Sequence, residues 1–89
     1  MPERKFPMKR TIRISISQKL MSRQAADLAE RMCDFESRVL LERENMVVDA
    51  KSLMGVVSAG LEDGQTITVM AEGPDEEEAV LTLCRLLGA

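Results

Sequence analysis

The spacing of apolar residues changes abruptly near residue 20, and this change constrains the fold more than any other feature. The segment TIRISIS, residues 11–17, alternates strictly, with Ile12, Ile14 and Ile16 on one side and polar residues on the other. Such alternation predicts a strand with one buried face. The segment that begins at Ser22 repeats its apolar residues every three or four positions, which predicts a helix with Ser22 as N-cap. Its apolar stripe consists of Ala25, Leu28, Ala29, Met32 and Cys33.

The middle of the chain contains shorter elements separated by turn signals. SRVLLERENMVVDA predicts two short strands joined at Glu44-Asn45. SLMGVVSAG predicts a short helix capped by Ser52 and ended by Gly60, because glycine adopts the left-handed conformation at little cost. A turn at residues 63–64 then leads into an alternating strand. The residues expected to face inwards on that strand are Ile67, Val69 and Ala71.

The last segment, PDEEEAVLTLCRLLG, has the clearest helix pattern in the chain. Acidic residues fill its first turn and Arg85 lies near its end, an arrangement that complements the helix dipole. Its apolar stripe consists of Ala79, Val80, Leu83, Cys84 and Leu87. The element order predicts an α+β two-layer sandwich, with an open-faced, four-stranded antiparallel sheet covered on one face by three helices (βαββαβα). We expect a loose tail over residues 1–8 and one domain over residues 9–89.

Composition excludes several functional classes. With 89 residues, 45% of them hydrophobic, the chain has enough apolar material for one core. A net charge of −3 argues against direct binding to nucleic acid, and no apolar run is long enough for a membrane span or a signal peptide. Cys33 and Cys84 lack metal-ligand spacing, so we expect buried thiols in a cytoplasmic protein, with no metal and no cofactor.

Three segments together resemble the HPr family, the phosphocarrier proteins of the bacterial sugar phosphotransferase system. KSLMGVVSAG is similar to the family's regulatory serine motif. LMSRQAADLAERMCDFES is similar to its active loop and first helix, and DGQTITVMAEGPDEEEAV to its last strand and the start of its last helix. The likeness spans residues 10–88 and implies an HPr-like fold.

The family's phosphorylated histidine is missing. The resemblance puts Met21 at that position, followed by Ser22, Arg23 and Gln24, of which only the arginine matches the family; the chain has no histidine. A thioether cannot accept and release a phosphoryl group as an imidazole does, so we expect no carrier activity. Two interpretations of this helix start remain open. Ser22 and Arg23 bind an anionic group of a partner, or Ser22 caps the helix and Arg23 is solvated.

Ser52 also has two interpretations. Helix capping alone accounts for a serine at this position. By resemblance, Ser52 is a regulatory phosphorylation site beside an exposed apolar patch that includes Leu53 and Met54. Periodicity alone leaves open that these two residues are part of the core.

The resemblance implies a regulatory protein of the catabolite repression HPr-like type. In that class a serine kinase of the HPr kinase/phosphorylase type would modify Ser52, and the product would bind a LacI-type transcription regulator in carbon catabolite control. The expected partner-binding residues are Met21, Arg23, Leu53, Met54 and Val57. The alternative is a diverged HPr-fold binding module with no phosphoswitch, for another protein or as a homodimer. We expect no enzyme, because no nucleophile has a base beside it and no phosphate-binding loop is present.

Overall fold

A computed structural model describes residues 7–16 and 22–88 of the chain. Four strands and three helices follow one another in the predicted order. The elements are β1 (Met8–Arg13), α1 (Ser22–Met32), β2 (Arg38–Arg43), β3 (Met46–Asp49), α2 (Leu53–Ala59), β4 (Thr66–Glu72) and α3 (Glu76–Leu87). Within the described ranges, no helix combines the length and the apolar character needed to span a membrane.

The strands form one antiparallel sheet in the order β1-β4-β2-β3. Helices cover one face of the sheet, and the other face is open. On the open face the hydroxyls of Thr11 and Thr68, which are paired across β1 and β4, lie 3.1 Å apart. The predicted open-faced sandwich with three helices on one side is therefore confirmed. The buried residues that β2 and β4 direct towards the helices include Val39, Leu41, Ile67, Val69 and Ala71.

The hairpin between β2 and β3 turns where the sequence predicts. Arg43 pairs with Met46, which leaves Glu44 and Asn45 as a two-residue turn. Glu44 has a φ of 56°, the positive sign that two-residue hairpin turns require at their first central position. The turn therefore forms without the usual glycine, and Glu44 accepts an uncommon backbone conformation.

The first strand begins and ends earlier than its alternating pattern predicts. Met8 is the first residue of β1, inside the range expected to be a loose tail, whose residues 1–6 lie outside the described residues. Ile14 is buried as predicted but follows the strand. Its N–H donates to the Gln65 carbonyl at 2.8 Å, and its own carbonyl accepts from Gly64 at 2.8 Å. The backbone there bonds to the turn before β4 and no longer to the strand itself.

Two expectations about α1 are wrong. Ser22 is the first residue of the helix and not its N-cap. Cys33 is exposed and not buried, because α1 ends at Met32 and the chain then turns, with the Phe35 N–H donating to the Met32 carbonyl at 3.1 Å. Phe35, not Cys33, packs against the core at this end.

The last helix agrees with its predicted pattern. The residues of its stripe are buried except Cys84, which is partly buried, and this burial raises the pKa of its thiol. Arg85 lies in the last turn, and three glutamates occupy the first. Asp75 is the N-cap residue by position, but its side chain makes no capping hydrogen bond.

Asp75 instead joins α3 to the start of β2 through the buried residue Ser37. Its carboxylate accepts from the Ser37 hydroxyl at 2.5 Å, from the Ser37 N–H at 2.9 Å and from the Glu36 N–H at 3.0 Å. The Ser37 hydroxyl in turn accepts from the Asp75 N–H at 3.1 Å. These bonds, the Ser37 hydroxyl first, lower the pKa of the Asp75 carboxyl below its ordinary value of 3.8.

Candidate functional site

The helix α2, which follows Ser52, has both of its ends fixed. Ser52 has an extended backbone, and its Oγ accepts from the Gly55 N–H at 3.1 Å, the predicted N-cap bond. Gly60 ends the helix with a φ of 60°, and its N–H donates to the Val57 carbonyl. The Arg43 guanidinium donates to the Ala59 carbonyl at 2.7 Å. An arginine from the neighbouring sheet thus satisfies a carbonyl of the last turn, where the helix dipole favours a positive charge.

Three apolar side chains of α2 face solvent beside this cap. Leu53 is 42% exposed, Met54 72% and Val57 41%, whereas Val56 and Ala59 are buried. We call Leu53, Met54 and Val57 the α2 apolar surface. The interpretation that Leu53 and Met54 belong to the core is therefore wrong. The α2 apolar surface thus lies beside a partly exposed serine.

The segment before Ser52 is held against the end of α1. The Lys51 Nζ donates to the Phe35 carbonyl at 2.7 Å, and the Cys33 thiol approaches the Lys51 carbonyl at 3.6 Å. The Lys51 N–H also donates to the Asp49 carboxylate at 2.9 Å. Lys51 thus fixes the position from which Ser52 starts the helix. Sequence reasoning gave Lys51 no role, because its partner Phe35 lies 16 residues away.

The start of α1 and Ser52 do not form one anion pocket. Lys51 contacts Cys33 at the carboxyl end of α1, whereas Ser22 and Arg23 are exposed in its first turn. The axial distance from Arg23 to Cys33 is about 15 Å for an α-helix. Arg23 and Ser52 therefore do not share one pocket, and no hydrogen bond joins them in the described part of the chain. No acidic side chain occupies the first turn of α1, and Met21 lies outside the described residues.

Neither a cluster of metal-ligating side chains nor a disulfide is present in the described ranges. They contain no group of three or more cysteine or acidic side chains arranged to hold a metal ion. Both cysteines are free thiols. The site is therefore a surface built from a capping hydroxyl and neighbouring apolar side chains.

Comparison with known proteins assigns the family. A family model described as the PTS HPr component phosphorylation site matches residues 8–89. The chain therefore belongs to the HPr family of the phosphotransferase system, as its motifs predict.

Individual relatives include both regulatory and carrier proteins. The chain is 33% identical over 76 residues to the HPr-like protein Crh of Halalkalibacterium halodurans, covering 85% of this chain and 90% of the relative. It is 40% identical over 68 residues to the phosphocarrier protein HPr of Cupriavidus necator, covering 76% of each. Sequence identity alone does not separate the two types.

Solved structures give the same fold. HPr-C-His of Thermoanaerobacter tengcongensis superposes with a TM-score of 0.82 at 38% identity, over 90% of each chain. The catabolite repression protein Crh of Bacillus subtilis, solved as a swapped, intertwined dimer, superposes with a TM-score of 0.71 at 31% identity, over 97% of this chain and 92% of that one.

Proposed function

We propose that this protein is a regulatory member of the HPr family that acts through phosphorylation of Ser52 and has no phosphohistidine carrier activity. In this proposal a kinase of the HPr kinase/phosphorylase type modifies Ser52 in the cytoplasm. The phosphorylated protein then binds a LacI-type transcription regulator in carbon catabolite control. The similarity to Crh proteins and the regulatory serine motif support this choice of partners.

The absence of carrier activity follows from composition. The 89 residues contain no histidine, and phosphoryl relay through a phosphohistidine needs an imidazole nitrogen that attacks and then leaves. By family resemblance Met21 stands at that position. A methionine there would extend the apolar contact surface, because its flexible thioether adapts to different partners.

The observation on which the proposal mainly rests is the α2 apolar surface beside Ser52. Phosphorylation would add about 1.5 to 2 negative charges at the start of α2, where unpaired N–H groups and the helix dipole favour a negative charge. The neighbouring apolar side chains are already exposed, so the added charge changes a surface without requiring a new fold. One partner could then bind both the α2 apolar surface and the phosphate on Ser52.

In this proposal Arg23 does not pair directly with the phosphate on Ser52. Its distance from the carboxyl end of α1 favours contact with an anionic group of the partner, near Met21. Leu53, Met54 and Val57 would form the apolar part of the same contact.

Incubation with the kinase and ATP, followed by mass spectrometry, tests the switch. We expect one phosphate, located on Ser52, in the wild type and in Ser58→Ala, and none in Ser52→Ala. Ser58 is the matched control because it is an exposed serine on the same helix. A phosphate elsewhere, or none in the wild type, would contradict the proposal and favour the binding module without a phosphoswitch.

A further inference from the structure

The solvent-facing side of α3 is charged oppositely at its two ends. A groove at the first turn is bordered by Glu77 and Glu78, which are exposed. A second groove, at the last turn, is bordered by Arg85 of α3 and by Arg10 and Arg13 of β1. The two grooves meet at Leu81, which is partly buried and lines both of them. We call this whole area the α3 edge surface.

These charges have no ion-pair partner of opposite sign in the part of the chain that the structure describes. Among the described residues, no carboxylate forms an ion pair with any of the three arginines. Glu77 and Arg85 are eight residues apart, so they are separated by about 12 Å along the helix axis. The molecule therefore presents an exposed acidic end, a partly buried apolar centre and an exposed basic end in one line.

This pattern is complementary to itself when one copy is reversed. Glu77, Leu81 and Arg85 follow one another at intervals of four residues, which places them along one side of the helix. A two-fold axis through Leu81 would bring two α3 helices together antiparallel. Leu81 would then meet Leu81 of the second copy, and Glu77 and Glu78 would meet the basic end of that copy.

We propose that the α3 edge surface is an isologous interface for a second copy of this chain. A two-fold interface needs one patch that complements itself, and the charge order along α3 satisfies this condition. A small anion would match only the basic end, whereas a second copy matches the acidic end, Leu81 and the basic end together. The inference is independent of the proposed function, because it does not involve Ser52.

The association is expected to be weak and dependent on salt. A helix of 12 residues is about 18 Å long, so the contact is smaller than the roughly 800 Å² that each partner buries in a standard interface. The charges on this surface are exposed to solvent, and such pairs are screened when the Debye length falls from about 30 Å at 0.01 M to about 3 Å at 1 M salt.

Complementary charge variants test the interface by sedimentation equilibrium at low salt. Glu77→Lys with Glu78→Lys reverses the exposed charges of the acidic end, and Asp75 and Glu76 stay beside them. Arg13→Glu with Arg85→Glu reverses two of the three charges of the basic end, and Arg10 stays. Each double variant alone should associate at least about tenfold more weakly than the wild type, the change that 1.4 kcal/mol produces. Mixed together, the two variants should form a heterodimer, since the substituted residues of each variant then face residues of opposite charge in the other.

A control pair separates this contact from general attraction between opposite charges. Asp27→Lys with Glu30→Lys, and Arg23→Glu with Arg31→Glu, make the same charge changes at exposed positions of α1. These variants should self-associate as the wild type does, apart from the effect of net charge, and should gain less than the α3 pair on mixing. Circular dichroism checks that every variant is folded.

Three results would overturn the proposal. One is a wild type that stays monomeric at millimolar concentration and low salt. Another is a dimer that the α3 variants do not weaken, as a dimer formed by exchange of a strand would be. The third is equal gain on mixing for the α1 and α3 pairs.

Discussion

Ser52 has a structural role that is separable from its proposed regulatory one. Its hydroxyl accepts the Gly55 N–H, so the side chain stabilises the first turn of α2 before any phosphate is added. Ser52 as a residue is partly exposed. Under the proposed function, loss of the hydroxyl would have two consequences, one for stability and one for recognition, and they must be measured apart.

Replacing Ser52 by alanine is expected to lower the free energy of unfolding by about 1 kcal/mol, because the Gly55 N–H loses its acceptor. Urea denaturation followed by circular dichroism measures this change. Ser58→Ala, on the exposed side of the same helix, should change stability by less than about 0.5 kcal/mol. Equal effects of the two substitutions would contradict the capping role.

The Asp75 carboxyl makes stability depend on pH in the acid range. Its pKa in the folded state is lowered, the Ser37 hydroxyl being the largest cause, so the ionised form stabilises the fold above the pKa of the unfolded chain. This contribution is lost as the pH falls through the unfolded value of about 3.9 towards the lower folded one.

Asp75→Asn should consequently lower stability at neutral pH and flatten the decline of stability below pH ~4. Denaturation midpoints measured across this range give the test. Asp27→Asn on α1 is the control, because no hydrogen bond or ion pair of its side chain is present among the described residues. A wild type and an Asp75→Asn variant with parallel pH profiles would contradict this account.

At the scale of elements, distant side chains fix the ends of the helices. Arg43 of β2 binds the last turn of α2, Lys51 holds the end of α1, and Ser37 before β2 binds the residue that precedes α3. Each bond joins segments at least 16 residues apart. The Arg43 bond and the burial of Val56 and Ala59 hold α2 on the sheet, which leaves Leu53, Met54 and Val57 in solvent.

The loop between β4 and α3 depends on a glycine. Gly73 has a φ of 148°, and a Cβ added there would lie 2.6 Å from the Ser37 Cα. Gly73→Ala should therefore cost more than the roughly 1–3 kcal/mol typical of a strained backbone alone, because Ser37 must also move.

Gly64→Ala, in the turn before β4, is the matched comparison for Gly73→Ala. Gly64 also has a positive φ, 89°, but nothing lies within 4 Å of a Cβ at that position. We expect Gly64→Ala to show only the backbone cost, so urea denaturation should rank it as the milder of the two variants. The reverse ranking would mean that the approach of Gly73 to Ser37 is not tight in solution.

At the scale of the whole molecule, the features that can be predicted from the sequence are those that depend on residues close together along the chain. The Ser52 cap, the Gly60 end of α2 and the Glu44-Asn45 turn depend on neighbouring residues, and all three are confirmed. The inward face of β4 is confirmed for the same reason, since alternation is a local property.

The features that the sequence did not predict depend on contacts between residues that are far apart along the chain. The exposure of Leu53 and Met54 depends on how α2 is placed by its distant partners. The bonds between Ser37 and Asp75 join residues 38 positions apart, so the acidic first turn of α3 suggested only a dipole effect for Asp75. Cys33 was misassigned because the helical spacing continues by one residue beyond the end of α1.

In the proposed function, recognition uses the assembled surface, in which α2 would supply apolar side chains and a phosphate on Ser52 would supply the charge. Met54, the most exposed of the three apolar residues, tests the apolar part without disturbing the core. Met54→Ser should weaken binding of the phosphorylated protein to its regulator by at least about tenfold, equivalent to 1.4 kcal/mol. Its unfolding free energy should stay within about 0.5 kcal/mol of the wild type, as is usual for surface substitutions.

The most direct measurement is calorimetric titration of a purified LacI-type regulator from the same organism with the Ser52-phosphorylated and the unmodified protein. We predict saturable binding by the phosphorylated form and at least about a tenfold weaker interaction for the unmodified form. Equal affinities for the two forms, or no binding by either, would contradict the claim that a phosphate on Ser52 controls recognition at this surface.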